Sequence, residues 1–106
     1  MIWDVQYTET AEKDLQDIYN YIAHVLLVPS TAENQTNRIM DTADTLNHMP
    51  LRYRLCDYEP WRSMGWHSVP VDNYIVFYLP VEDNHTVSIM RIIYGGRDIE
   101  AHLKEK

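Results

Sequence analysis

The sequence predicts an α+β fold, a small antiparallel or mixed β-sheet with an N-terminal αα-hairpin on one face, in the order β-α-α-β-β-β-α. Three observations predict it. Two helical periodicities follow one another across residues 8–48. Two apolar strand-like runs then flank an Asp72-Asn73 dipeptide, the composition of a tight hairpin turn. A last run, Thr86 to Tyr94, is apolar on both faces, as a central strand is. With 106 residues the whole chain, 1–106, is expected to be one domain, burying roughly two thirds of the surface its unfolded chain exposes.

The first element is "IWDVQYT", in which Trp3, Val5 and Tyr7 alternate with Ile2, Asp4 and Gln6. Thr8 is placed to cap the first helix, with Glu9 where the helix dipole favours an acid. Ala11, Leu15, Ile18 and Ile22 recur at helical spacing, and Pro29 ends the segment. Ser30 and Glu33 have capping-box spacing for a second helix running to about His48. Its stripe of Ala32, Ile39, Ala43 and Leu46 is leaner, so it is expected to be the more exposed helix. Residues 51–64 read as irregular. "GWHSVPV" and "NYIVFYLPV" form the hairpin, with Pro70 confined to an edge, and a short helix from Asp98 follows Gly95-Gly96. The sheet face away from the helical hairpin is expected to be a concave, partly open groove.

Composition narrows function. The net charge is −7, so a nonspecific nucleic-acid coat is disfavoured, because such binding rests on cationic neutralisation of phosphate. The charge is unevenly spread: residues 1–37 hold six acids and one base, while five of six arginines lie from Arg52 onward. One cysteine, Cys56, cannot form an internal disulfide, and no apolar run reaches membrane-spanning length, so a soluble, cytoplasmic protein is expected. The five histidines lack metal-ligand spacing, and neither a metal nor a cofactor is expected.

Candidate functional residues concentrate near the last strand. Arg91 interrupts its apolar run. Either it forms an ion pair that clamps the C-terminal helix or a loop, or it binds an anion in a groove. Tyr94 and Arg97 leave the strand through the two glycines. Arg97 is suited to hold phosphate or carboxylate, and Tyr94 to stack or donate a proton. His67 shares a strand face with Val69 and Val71. Arg52, Arg54 and Arg62, interleaved with Tyr53, Tyr58, Trp61 and Trp66, suit either base stacking or a protein–protein hot spot.

The runs "AEKDLQDIYNYI", "LNHMP", "GWHSVPVDNYIVFY" and "VSIMRIIYGGRD" resemble the RelE/ParE superfamily of bacterial toxins from about Thr8 to Leu103. The resemblance implies the toxin of a type II toxin–antitoxin (plasmid stabilisation) module, held by a cognate antitoxin in a hetero-oligomer. RelE-like members cut mRNA on the ribosome; ParE-like members inhibit DNA gyrase. RelE-like nucleases typically carry an arginine where Ile75 stands and a late tyrosine or histidine base; His102 is the only such group in the final helix, and Leu103 lies where a tyrosine is expected. "VPVDNYIVFY" and "RIIYGGRD" look ParE-like, although that pattern often has an arginine where His67 stands. The resemblance therefore leans to gyrase inhibition, with ribosome-dependent mRNA cleavage as the alternative and an inactive antitoxin-binding homologue as the second. Carried over, the catalytic candidates are Arg97, Tyr94 and His67, and the target- or phosphate-binding candidates are Arg62, Arg91 and Arg97.

Overall fold

The computed structural model describes residues 2–104. It contains β1 (Asp4–Tyr7), α1 (Glu9–Asn20), α2 (Pro29–Asp44), β2 (His67–Val71), β3 (Tyr74–Val81), β4 (Thr86–Tyr94) and α3 (Ile99–Leu103). The strands form one mixed sheet in the order β1-β4-β3-β2. β1 runs parallel to β4, and the other two pairs are antiparallel. This is the predicted class, order and central strand.

Thr8 caps α1 as expected: its Oγ1 accepts from the Ala11 amide at 3.1 Å. The same hydroxyl is 3.0 Å from the carbonyl oxygen of Ile89, to which it donates, so the helix start is tied to the central strand. α1 then widens into a π-helical turn, Tyr21–Val25, and Leu27 turns the chain at φ 60°. The expected capping box does not form. Pro29 occupies the first turn of α2, where its missing N–H costs nothing, and places Ser30 inside the helix.

The exposure expected of the two helices is reversed. Ala32, Ile39, Ala43 and Leu46 are fully buried, whereas Leu15 and Ile18 of α1 are only partly covered. Alanine lets α2 approach closely, so a lean stripe is sealed completely. The α1 stripe runs past the end of β1 and flanks a cleft.

Two cores sandwich the sheet. The helical side joins Ala11, Ile39, Ala43 and Leu46 to Val69, Val76, Tyr78, Val87, Ile89 and Ile92. The opposite side is not the open groove expected. Cys56, Trp61 and Trp66 from the irregular loop, with Ile99 and Leu103 of α3, cover Phe77 and Ile93. Tyr78 crosses the helical side, its hydroxyl donating to the Pro50 carbonyl at 2.6 Å.

Pro70 lies on the β2 edge as predicted. The outward amide of Ser68 donates to the Arg54 carbonyl at 3.0 Å, and Pro70 has none to offer.

Candidate functional site

The site is built where β4 outruns β1. β1 pairs with β4 only as far as Tyr7 opposite Ile89. A bulge follows, in which Phe77 opposes Arg91 and Tyr78 opposes Ile89, leaving Met90 as the extra residue. Above it, Gly95 N–H donates to the Asn73 carbonyl at 2.7 Å. Antiparallel alternation then turns the backbone groups of Ile93 toward β3 and those of Ile92 and Tyr94 away from it. They face the space β1 would have filled.

A cleft of about 720 Å³ lies there, lined by Ile18, Tyr21, Ile22 and Leu26 on one side. Tyr74, Ile92, Tyr94, Arg97 and His102 line it elsewhere, with Asp14 and Arg91 at its floor. Beside it the interhelical turn exposes Val25, Leu27 and Val28, an unusual apolar run for a surface loop.

The floor is a closed ionic knot. Arg91 Nε donates to Asp14 Oδ2 at 2.7 Å, and Nη2 to Oδ1 at 3.2 Å. Arg91 Nη1 donates to the His102 carbonyl at 2.5 Å. Asp14 Oδ2 also accepts from the Ile92 amide at 2.9 Å. Arg91 thus clamps α1, β4 and α3 together, and its fork is filled by a carboxylate of its own chain. As an anion-binding candidate it is superseded by the ion-pair reading.

The rim differs. The Tyr74 and Tyr94 rings meet edge-on, 5.6 Å between centroids. Gly96 permits this arrangement, since a Cβ there would come within 2.5 Å of the Tyr94 ring. Burial pushes the Tyr74 hydroxyl pKa up, with the neighbouring Tyr94 adding to the rise and Arg97 opposing it. Arg97 is exposed and makes no side-chain hydrogen bond or ion pair among the described residues. Asp98 next to it is turned to its own helix, accepting from the Ala101 amide at 3.2 Å.

The structure brings together Tyr94, Arg97 and the floor residue Arg91, and leaves His67 and Arg62 apart. His67 pairs with Tyr78, and Tyr94 with Tyr74, from opposite sides of β3, so the two lie four strand positions along the sheet and two strand spacings across it, roughly 16 Å apart. The His67 ring is buried against Tyr78, with Nδ1 2.8 Å from the Tyr53 carbonyl oxygen. Arg62 lies in the loop over the second core, 3.3 Å from the Cys56 carbonyl oxygen. The base-stacking surface suggested for residues 52–66 is also absent as such. Trp61 and Trp66 are core, Arg52 lies over the Tyr53 ring, and Arg54 pairs with Asp57.

Sequence reasoning missed Asp14, Tyr21, Leu26 and Tyr74. Asp14 had a signal: it stands three residues after Ala11 and four before Ile18, on the apolar stripe itself. The described residues hold no cluster of His, Cys, Asp and Glu fit for a metal. None of their helices is long and apolar enough to cross a membrane.

Solved structures share this fold. A chromosomal ParDE toxin–antitoxin system from P. aeruginosa superposes with a TM-score of 0.72 at 19% identity, over 88% of this chain and 96% of that one. The RelBE2 toxin–antitoxin complex from Mycobacterium tuberculosis gives 0.63 at 22%, over 89% and 99%. The archaeal RelE–RelB complex from Pyrococcus horikoshii gives 0.61 at 16%, over 92% and 99%. No individual curated sequence is significantly similar. The family model for the ParE toxin of the type II toxin–antitoxin system parDE matches residues 5–99, and with nearly the whole chain so matched, the protein belongs to the ParE toxin family of type II toxin–antitoxin systems.

Proposed function

We propose that this toxin is a single-domain cytoplasmic growth inhibitor, silenced by a small cognate antitoxin protein in a hetero-oligomer, and that its target is a protein, DNA gyrase. The antitoxin partner is supported by the relatives with the same fold, which were solved as toxin–antitoxin systems. The observation that carries the target reading is the character of the cleft. Its walls are largely apolar and aromatic, and among the described residues that line it Arg97 is the one arginine without a side-chain partner. Exposed aromatic and aliphatic side chains around a single arginine suit a protein surface. A phosphodiester enzyme needs a cation on the phosphate together with positioned acid and base. Here His67 stands across the sheet and Arg91 is held by Asp14. Tyr94 and Arg97 act as contact residues in this reading.

The test is direct. Purified toxin is added to DNA gyrase in a supercoiling assay, and loss of supercoiling that antitoxin restores is the expected result. Full supercoiling at toxin concentrations that arrest growth when expressed would remove gyrase from the account.

One observation favours the RelE-like reading: His102 lines the same cleft as Tyr94 and Arg97. Primer extension on ribosome-bound mRNA after induction separates the two. Codon-position-specific cuts that vanish in His102→Ala would establish the nuclease.

A further inference from the structure

The upper half of β4 is an unpaired strand edge inside the cleft. Of the backbone groups that alternation points away from β3, the Ile92 amide is taken by Asp14, and the Tyr94 carbonyl accepts from the Arg97 amide at 3.2 Å. The Ile92 carbonyl and the Tyr94 amide remain, one acceptor and one donor facing the cleft on the same edge of one strand. That is the pattern with which an extended chain is captured by strand addition. On the helical side the cleft presents Ile18, Ile22 and Leu26.

Charge selects among extended chains. Asp14 is matched by Arg91, and Asp17 by Lys13 at 2.8 Å. Arg97 is left as the cleft's uncompensated charge, positive on a protein of net charge −7. An incoming carboxylate is therefore favoured locally although the protein as a whole repels anions.

We infer that this cleft grips the toxin's protein target by capturing an extended, acidic segment of it. The segment pairs with the Ile92 carbonyl and the Tyr94 amide, sets an apolar side chain against Ile18, Ile22 and Leu26, and gives a carboxylate to Arg97. This rests on the reading that the target is a protein. The geometry requires no rearrangement of the sheet, since the segment continues the line that β1 leaves at Tyr7.

The test removes one proton-bearing nitrogen. Tyr94→Pro deletes the cleft-facing amide and no bond to β3, because Tyr94 and Tyr74 form a non-hydrogen-bonded pair. A second variant guards against misfolding. An amber codon at position 94, suppressed with the hydroxy-acid analogue of tyrosine, replaces the amide by an ester and keeps the ring. The same codon suppressed with tyrosine is the control. Each variant is expressed without antitoxin under graded induction, with toxin level and melting temperature measured. The ester variant is expected to need about three- to tenfold more toxin for growth arrest, the worth of one hydrogen bond, with its melt lowered only slightly because the ester also weakens the Ile93 carbonyl that accepts from β3. Arg97→Glu is expected to be weaker than Arg97→Gln. An ester variant as potent as its control overturns strand capture, and Arg97→Glu as potent as Arg97→Gln overturns the acidic partner. An ester variant that keeps its potency but loses antitoxin binding also overturns the proposal, because the edge would then serve the antitoxin. The supercoiling assay on wild-type toxin reads the choice of gyrase separately: if supercoiling is unaffected while the ester variant is weakened, gyrase falls and the cleft stands.

Discussion

Arg91 Nε and Asp14 Oδ2 lie 2.7 Å apart with only 11% and 14% of their side-chain surface exposed, joining the first helix to the central strand 77 residues later. A charge pair so shielded adds little over a hydrophobic pair, but breaking it strands the survivor. Arg91→Ala is expected to cost about 3–5 kcal/mol, leaving the Asp14 carboxylate in the floor with only the Ile92 amide beside it among the described residues. Asp14→Asn is expected to cost less, because the amide oxygen still accepts from Ile92. Urea unfolding with constant m-value checks the order, and equal losses would contradict it.

Arg97 is the counterpart. It is exposed and shares no buried network, so Arg97→Ala is expected to change stability by no more than about 0.5 kcal/mol while sharply reducing growth inhibition. Melting curves recorded beside growth curves give the comparison. A melt lowered as far as that of Arg91→Ala would move Arg97 into the structural class.

Gly96 offers a subtler handle. Its Cβ would overlap the Tyr94 ring, whose far end is free to swing away. Gly96→Ala is therefore expected to leave the fold intact, turn Tyr94 off Tyr74, and weaken growth inhibition. The aromatic proton shifts of Tyr74 report the loss of the edge-on contact; unchanged shifts would show that the ring accommodates the methyl in place.

Tyr7 sets an alkaline limit. Burial, with the nearby Asp44 carboxylate adding to it, raises its hydroxyl from 10.0 to about 12. The raised folded value means that the unfolded chain ionises first. Stability from this group is complete below pH 10 and is lost as the pH climbs from 10 toward 12. Its hydroxyl is buried without a hydrogen-bond partner among the described residues. Tyr7→Phe is expected to hold or raise the melting temperature at pH 7 and to flatten its fall above pH 10. A melt lowered at pH 7 would reveal a partner for the hydroxyl.

The elements that follow from periodicity and punctuation were legible: the Thr8 cap, the Asp72-Asn73 hairpin, the central β4, and the helix begun at Asp98. The exposure of the helices was not, because stripe length says how much apolar surface a helix carries and not how closely its neighbour can come. Ala43 is small enough to seal against the sheet, and Ala32 against Ile22 and Ala23 of the turn after α1. The second core was missed for a related reason. Trp61 and Trp66 lie among arginines in a segment without periodicity, and only the folded loop shows their rings turned inward. For the site, Tyr94 and Arg97 could be read from the glycines that release the strand. His67 could not be excluded, since its distance from Tyr94 depends on strand register. The cleft exists because β1 is four residues long and β4 nine, a mismatch that belongs to pairing rather than to either strand alone.

The sealed β2 edge has a colloidal consequence. A sheet whose rim offers rows of free amides and carbonyls recruits copies of itself, and the rate of that recruitment rises with concentration. Here Ser68 spends its outward amide on Arg54, and Pro70 has none, so two neighbouring molecules cannot zip together along that rim. A toxin molecule without its antitoxin can meet only targets or other copies of itself. With this rim closed, toxin is not drained into aggregates by that route. An inhibitory chain that docks on the toxin must likewise find its grip elsewhere than along β2.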